Sequence, residues 1–416
     1  MTQAAKTRIR SKRDAATSVI LLLEAVFILL LTRDSGGLIS TFDLTSKRAG
    51  VTIAAPDLIL PTFATLVVLG IVVGMVGTWQ SIRGFKNTNL VLTSMIGIGI
   101  FAFLIWATRD KTLNLTGMLV SSVVRATPIG LAALSGIYAE RSGVVNIGIE
   151  GMMLVGSFTS VIFASISDSM MIGIGAGMLF AMLFALLHAV LSIKYRVNQI
   201  VSGTGIIILA LGITSFLHRA FIEKIPDLNS PGPAIPAFQI PILWKIPVAG
   251  PILFNQSPIV YTLFILLIVT HVMLYKTKWG LRMRAVGEHP KAADTLGINV
   301  YRIRYFSVAL SGAMAGLAGA YMSIGAAGRF NEGMSAGKGF LGLAAMIFGN
   351  WNPFGAYLGA LIFGFFDSWQ EKLSILQVGI PVELLGMIPY IATMIVLAGF
   401  IGRSHMPAAD GQPYEK

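Results

Sequence analysis

Residues 170–193 read MMIGIGAGMLFAMLFALLHAVLSI, an unbroken run without Asp, Glu, Lys or Arg. That covers the roughly 20 residues a helix needs to cross the hydrocarbon core of a bilayer. Lipid offers no partner to open backbone groups, so such a run crosses as a helix. Outward from it, about twelve comparable segments follow: 18–32, 58–78, 90–107, 117–138, 147–166, 170–193, 197–216, 257–275, 304–326, 338–350, 354–370 and 382–402. The first, tenth and eleventh are short, and the tenth reads as re-entrant or as extended into the preceding loop. The expected fold class is all-α, a polytopic transmembrane helix bundle of about 10–12 spans with some broken or re-entrant helices.

Composition agrees. The 416 residues are 55% hydrophobic and only 12% charged, against about 25% charged in soluble domains. That leaves too little polar surface for a water-soluble enzyme of this size. With no Cys, disulfides, thiolate nucleophiles and Cys-ligated metals are excluded. His188, His218, His271, His289 and His405 are scattered without H-E-x-x-H spacing, so no metal site is expected. The net charge of +12 gathers in alternate loops, a topology signal and not a nucleic-acid patch.

Met1–Ala16 carries Lys6, Arg8, Arg10, Lys12 and Arg13, which places it in the cytoplasm by the positive-inside rule. Alternation then puts both termini there. The expected organisation is 1–57 (basic N-terminus, short first span, polar loop without readable structure), 58–402 (membrane domain) and 403–416 (cytoplasmic tail). An external Pro-rich loop spans 218–256 and a basic cytoplasmic loop spans 276–304. Pro226, Pro231, Pro233, Pro236, Pro241, Pro247 and Pro251 prevent a continuous helix in the former.

A chain that hydrolysed ATP would carry G-x-x-x-x-G-K-[ST]. Gly333-Met-Ser-Ala-Gly337-Lys338-Gly339 is one residue short and lacks the hydroxyl for magnesium. No catalytic residue is assigned. Intramembrane polar residues are costly and therefore candidates for the path of a cargo. Arg125 lies mid-span, and Pro128 should kink or break its helix. The pair builds either a polar niche or an ion pair with Glu150 or Asp367. Within Glu140–Met153, Asn146 and Glu150 either border the path or serve as N-cap and helix-end charge. Asn198 and Ser202 share a helical face, turned to the path or to a neighbouring helix. Thr127 completes the candidates. Glu24 is a partner for Arg125 or an interfacial residue, and His188 and His271 read as satisfied side chains rather than proton relays. Gly70/Gly74, Gly173/Gly177, Gly312/Gly316 and Gly355/Gly359 are packing features.

In the inner loop Pro290 suits the first position of a helix and Gly297 the residue past its end. So short a helix must dock on something, either a motor domain or the lipid interface.

The stretch Gly287–Val300, then Arg302, Tyr305, Ser311–Gly316, Gly319-Ala-Tyr321, Gly325–Glu332, Gly339–Ala345 and Phe348–Pro353, resembles the permeases of ABC importers for simple sugars and nucleosides. Upstream, Arg125-Ala-Thr-Pro128, Glu140–Met153 and Val197–Gly203 match as well. These blocks cover roughly residues 115–370, about three fifths of the chain, and their wording is closest to the nucleoside-type members. The resemblance implies a non-catalytic subunit of the bacterial cytoplasmic (inner) membrane that needs no cofactor. Its partners would be cytoplasmic ATP-binding subunits, a second permease chain (same or paralogous), an extracytoplasmic substrate-binding protein, the lipid bilayer and a nucleoside or sugar, with no nucleic acid. Coupling to the ATPase would fall to Glu288, Pro290, Ala292, Ala293, Asp294 and Gly297. The rival expectation is a secondary transporter driven by an ion gradient, suited by broken helices and by Glu150 or Asp367.

Overall fold

The computed structural model describes residues 12–48, 51–387, 390, 391, 394 and 405–416. Its principal helices are α1 (Lys12–Leu30), α2 (Thr62–Ile82), α3 (Thr88–Ala107), α4 (Leu115–Glu140), α5 (Ile149–Ser167), α6 (Met170–Ala189) and α7 (Gln199–Leu217). They continue with α8 (Pro258–Lys276), α9 (Lys278–Glu288), α10 (Pro290–Thr295), α11 (Val300–Ala320), α12 (Lys338–Phe348), α13 (Pro353–Leu376) and α14 (Val382–Gly386). The fold is all-α, with only short strands in the loops.

Eight helices among the described residues are long and apolar enough to cross a membrane: α2 to α8 and α11, with π-helical ends extending α6, α7 and α11. They correspond to eight of the twelve expected segments. The first segment lies in α1, whose sequence carries Lys12, Arg13, Asp14 and Glu24. The tenth is the 11-residue α12, too short to span alone. The eleventh lies within the 24-residue α13, and most of the twelfth, 382–402, lies outside the described residues.

The chain divides into two compact units. One comprises residues 1–47, 51–117 and 371–385. Here α1 packs along α2, where Gly70, Gly74 and Gly77 meet Leu29, Ala25 and Leu21. Within 33–57, expected to lack structure, Ile39–Asp43 forms a strand antiparallel to Leu58–Pro61 and parallel to Thr112–Asn114. Its alternate residues point inward: Phe42 is fully buried and stacks on Phe101 at 5.7 Å, and the Ser40 hydroxyl donates to the Ile105 carbonyl at 2.7 Å. The parallel partner lies some 70 positions away, beyond the reach of a local reading. Glu24 packs on α3, where a Cβ at Gly99 would stand 2.2 Å from its carboxylate.

The other unit comprises 48–50, 118–370 and 386–416. Its centre is α5, α6 and α11, drawn together by glycine. A Cβ on Gly316 would stand 2.4 Å from the Gly177 carbonyl oxygen, and one on Gly156 2.7 Å from the Gly316 Cα. Only residues without a side chain permit that approach, which supplies packing where lipid gives no hydrophobic drive. In α11, 89% of the spanning window is buried, against 28% in α6 and in α7. Thus α11 is the axle and α6 and α7 present faces of the kind lipid covers. The Pro-rich loop has short 3₁₀ and π turns and one antiparallel bridge of Phe238–Gln239 with Asn255–Gln256.

Candidate functional site

Arg125 sits near the middle of α4, and its Nη1 donates to the Asp367 Oδ2 of α13 at 2.8 Å. The two side chains stay 31% and 26% exposed, so this pair is half open. Of the partners considered from sequence, Asp367 is the one the structure joins to Arg125. Pro128 does not break α4, which is continuous over Leu115–Glu140. The missing N–H leaves the carbonyl of Val124 free. The Tyr321 hydroxyl, from the π-helical segment Tyr321–Ala327 that extends α11, donates to it at 3.2 Å. Thr127 is buried and its hydroxyl bonds back to the Val123 carbonyl at 2.8 Å, beside the proline. The Tyr321 hydroxyl therefore supplies the donor that the proline lacks.

Between α4 and α5, residues 141–148 are irregular and largely buried, so every polar group must find protein. The Val145 amide donates to Gln199 Oε1 at 2.6 Å, and its carbonyl bonds His188 Nε2 at 3.0 Å. The other ring nitrogen of His188 bonds the Ser202 hydroxyl at 3.0 Å. Asn146, with no exposed surface, donates to the Ser311 hydroxyl at 2.9 Å, which in turn pairs with Ser135 at 2.9 Å. Its Oδ1 has no protein partner among the described residues. Asn146 does not cap α5; Gly148 stands at that position, without a side-chain cap. Asn198 caps α7, accepting from the amides of Ile200 and Val201 at 2.9 and 3.3 Å.

Glu150 is 8% exposed, in the first turn of α5. Its carboxylate accepts from the amides of Gly337 at 2.8 Å and Gly339 at 2.6 Å. One carboxylate thus serves the positive ends of α5 and α12 together. The glycine-rich turn 333–339 holds an anion as a phosphate loop does, and the anion is the chain's own. His188 is a satisfied side chain, as expected from the sequence. Nothing local in the sequence says that Gln199 and Ser311 close on Val145 and Asn146.

At one end of this unit α9 and α10 turn back to α11. His289 caps α10, accepting from the Ala292 amide at 3.2 Å; Pro290 opens the helix, and Gly297 follows it at φ +79°. Ala293 is 2% exposed and anchors the helix inward. Lys291, Ala292, Thr295 and Gly297 are exposed, Glu288 flanks them, and Pro290 and Asp294 are half-buried. Leu296, unremarked in the sequence, is 81% exposed at the helix end. Asn299 then caps α11, accepting from the Arg302 amide at 2.9 Å, so α10 and α11 are separated only by a capped turn.

The C-terminal residues 405–416 lie on this corner. The Ala409 amide donates to the Gly287 carbonyl at 2.9 Å and the Ala408 amide to Glu288 Oε2 at 3.2 Å. Arg304, 1% exposed, donates to the Gln412 carbonyl at 3.0 Å. The rings of Tyr301 and Tyr414 meet edge to face at 5.4 Å. Asp410 is 7% exposed beside Glu140, and burial pushes its carboxyl up to about 7. The Trp351 indole N–H donates to Glu140 at 2.7 Å.

Comparison with known proteins adds to this geometry. The model of the family "Branched-chain amino acid transport system / permease component" matches residues 118–397, beginning where the larger unit's main segment begins. The chain is 42% identical to the guanosine ABC transporter permease protein NupQ of Bacillus subtilis over 71% of its own length and 95% of the relative's. It is 40% identical to the nucleoside ABC transporter permease protein NupC of Lactococcus lactis, over 72% and 96%. It is 29% identical to the putative glucose ABC transporter permease protein TsgC13 of Haloferax volcanii, over 72% and 98%. No solved structure matches. With the family's stretch beginning inside α4 and running through and beyond α13, this multi-pass membrane protein belongs to the branched-chain amino acid transport system permeases, as a non-catalytic permease component.

Proposed function

We propose that this chain forms the translocation path of an ATP-driven importer for nucleosides or related simple sugars. The observation that carries the reading is the 40–42% identity to two nucleoside permeases over nearly their whole length. On this reading separate ATPase subunits dock at the α9–α10 corner in the cytoplasm of a bacterial cell, where both termini also lie. A second permease chain, identical or paralogous, completes the path, and an external binding protein delivers cargo near the loop 218–256. The basic residues of the corner, Lys276, Lys278, Arg282, Arg284 and Lys291, support this orientation.

The geometry suits the task. A neutral polyol or base needs each polar atom satisfied as it crosses. The half-open Arg125–Asp367 pair offers both donors and acceptors at mid-span. Asn146 holds a buried oxygen without a protein partner among the described residues, ready for a donor when the broken segment opens. Glu150 fixes that segment against α12. A push on α10 passes through the Asn299 cap into α11, which reaches Tyr321 and, through it, the carbonyl of Val124 next to Arg125. Over its 28 residues, Val300–Ala327, α11 and its extension are about 40 Å long at 1.5 Å per residue.

The test is reconstitution of the chain with its co-purifying ATPases and binding protein in vesicles. Uptake of a radiolabelled nucleoside that requires ATP and the binding protein is expected. Transport by the isolated chain, driven by an ion gradient and indifferent to ATP, overturns the reading.

A further inference from the structure

The tail 405–416 has no role in the path, yet it bridges three elements of the corner and the broken segment behind it. On the corner it holds the end of α9 through Gly287 and Glu288. It reaches α10, where Lys416 stands 3.8 Å from Asp294, and the start of α11 through Tyr301 and Arg304. Behind, a Cβ on Gly143 would meet the Ala409 carbonyl oxygen at 3.1 Å, and one on Gly411 would meet Val145 at 3.4 Å. His405 donates its amide to Asn350 at 2.8 Å, just past α12.

A helix of six residues such as α10 has no stability of its own. Left alone on two turns of chain, it would yield when pressed. Arg304 shows what the tail adds. It is the largest fully buried side chain among the described residues, and a buried guanidinium is costly without partners. The tail supplies its hydrogen-bond acceptor, Gln412, and the nearby carboxyl of Asp410.

We propose that residues 405–416 are a positioning strap, which locks α9, α10 and the first turn of α11 into one body so that force on α10 moves α11 instead of bending the corner. Ala409, Asp410, Gln412 and Tyr414 are positioning residues that act through Gly287, Glu140, Arg304 and Tyr301. The inference rests on the importer reading above: without an ATPase at α10 there is no force to deliver.

The experiment uses the reconstituted transporter, with nucleoside uptake and ATP hydrolysis measured in the same vesicles. Two variants are compared with the natural chain: deletion of 405–416, and Ala409→Pro, which removes the N–H given to Gly287 and fixes φ within the turn that carries it. The expected result is a fall of about tenfold in molecules imported per ATP for the deletion, and about threefold for Ala409→Pro, a scale set by loss of charge-assisted and neutral hydrogen bonds respectively. ATPase subunits should still co-purify. Asp410→Asn, which keeps an acceptor oxygen toward Glu140, should retain the ratio that Asp410→Ala loses. An unchanged ratio in Ala409→Pro and Asp410→Ala overturns the strap. So does loss of the ATPase from a folded deletion variant, since the tail would then be a docking surface. If the deletion does not accumulate, the two point variants decide by the same ratio. Absence of ATP-driven uptake in the natural chain is instead a failure of the importer reading.

Discussion

The Tyr321 hydroxyl stands 3.2 Å from the carbonyl of Val124, the group that Pro128 deprives of its helical donor. A side chain on α11 thus completes the backbone of α4. Removing that hydroxyl in Tyr321→Phe should cost about 1–2 kcal/mol, the price of an unsatisfied buried carbonyl. Adding Pro128→Ala restores an N–H to the same carbonyl and should recover most of the loss. Thermal unfolding of the detergent-solubilised variants checks both, and a double variant no more stable than Tyr321→Phe refutes the pairing.

Glu150 accepts two amides at the start of α12. Glu150→Ala should destabilise the protein by roughly 3 kcal/mol, while Glu150→Gln, which keeps one acceptor oxygen, should lose roughly half of that. The same melts report it. Equal effects of the two variants would mean that the carboxylate is not the cap.

Arg125→Ala and Asp367→Ala each remove one side of a half-exposed ion pair. Partial exposure holds the expected cost to about 1–2 kcal/mol, below that of a fully buried pair. Uptake should fall tenfold or more with the folded fraction unchanged by size-exclusion chromatography. A charge-swapped double variant that regains stability and not uptake separates the pair's contact with cargo from its structural part. Full uptake in Arg125→Ala removes it from the path.

On α10, Ala293 faces inward and Leu296 outward. Leu296→Asp should leave thermal stability within about 0.5 kcal/mol and weaken ATPase co-purification. Ala293→Glu should destabilise the corner, since it buries an unpaired charge. If Leu296→Asp retains the ATPase at full stoichiometry, the docking face lies elsewhere.

Asp410 also makes tail docking pH-dependent. Its ordinary value is 3.8, and burial raises it to about 7 in the docked tail. The docked state therefore holds the proton more tightly than the free tail. Its contribution is fully present below pH 4, declines as pH rises, and levels off above pH 7. Glu140 and Arg304 face the same carboxyl, and the buried guanidinium acts against the rise. Hydrogen exchange at the Ala409 amide, corrected for intrinsic rate, should be slower at pH 5.5 than at pH 8. Exchange protection that does not vary over this range, or that strengthens at pH 8, contradicts the assignment.

What the sequence made legible was what is local. Uncharged runs marked the helices, and Pro290 and Gly297 bounded α10 because caps depend on neighbouring residues alone. The charge of Arg125 named Asp367 as one of three carboxylates it could join, with Glu24 and Glu150. Partners without charge were not legible: a tyrosine near the end of α11 carries no sign that it will serve a carbonyl of α4. The strand at Ile39–Asp43 was missed because its parallel partner follows two whole helices. The tail, short and polar, has no periodicity, and it is held by distant groups such as Gly287, Glu288, Tyr301 and the buried Arg304. Near-matches also misdirect. The turn 333–339 was set aside as a failed nucleotide motif, and its amides do hold an anion, Glu150.

A proline in a transmembrane helix is usually counted as a defect that neighbours must repair. In α4 the repair is a side-chain hydroxyl, and side chains can withdraw. Bending this helix at Pro128 requires only that Tyr321 let go, with no rung of the backbone ladder broken there. The joint next to Arg125 is therefore already cut, and α11 holds its latch.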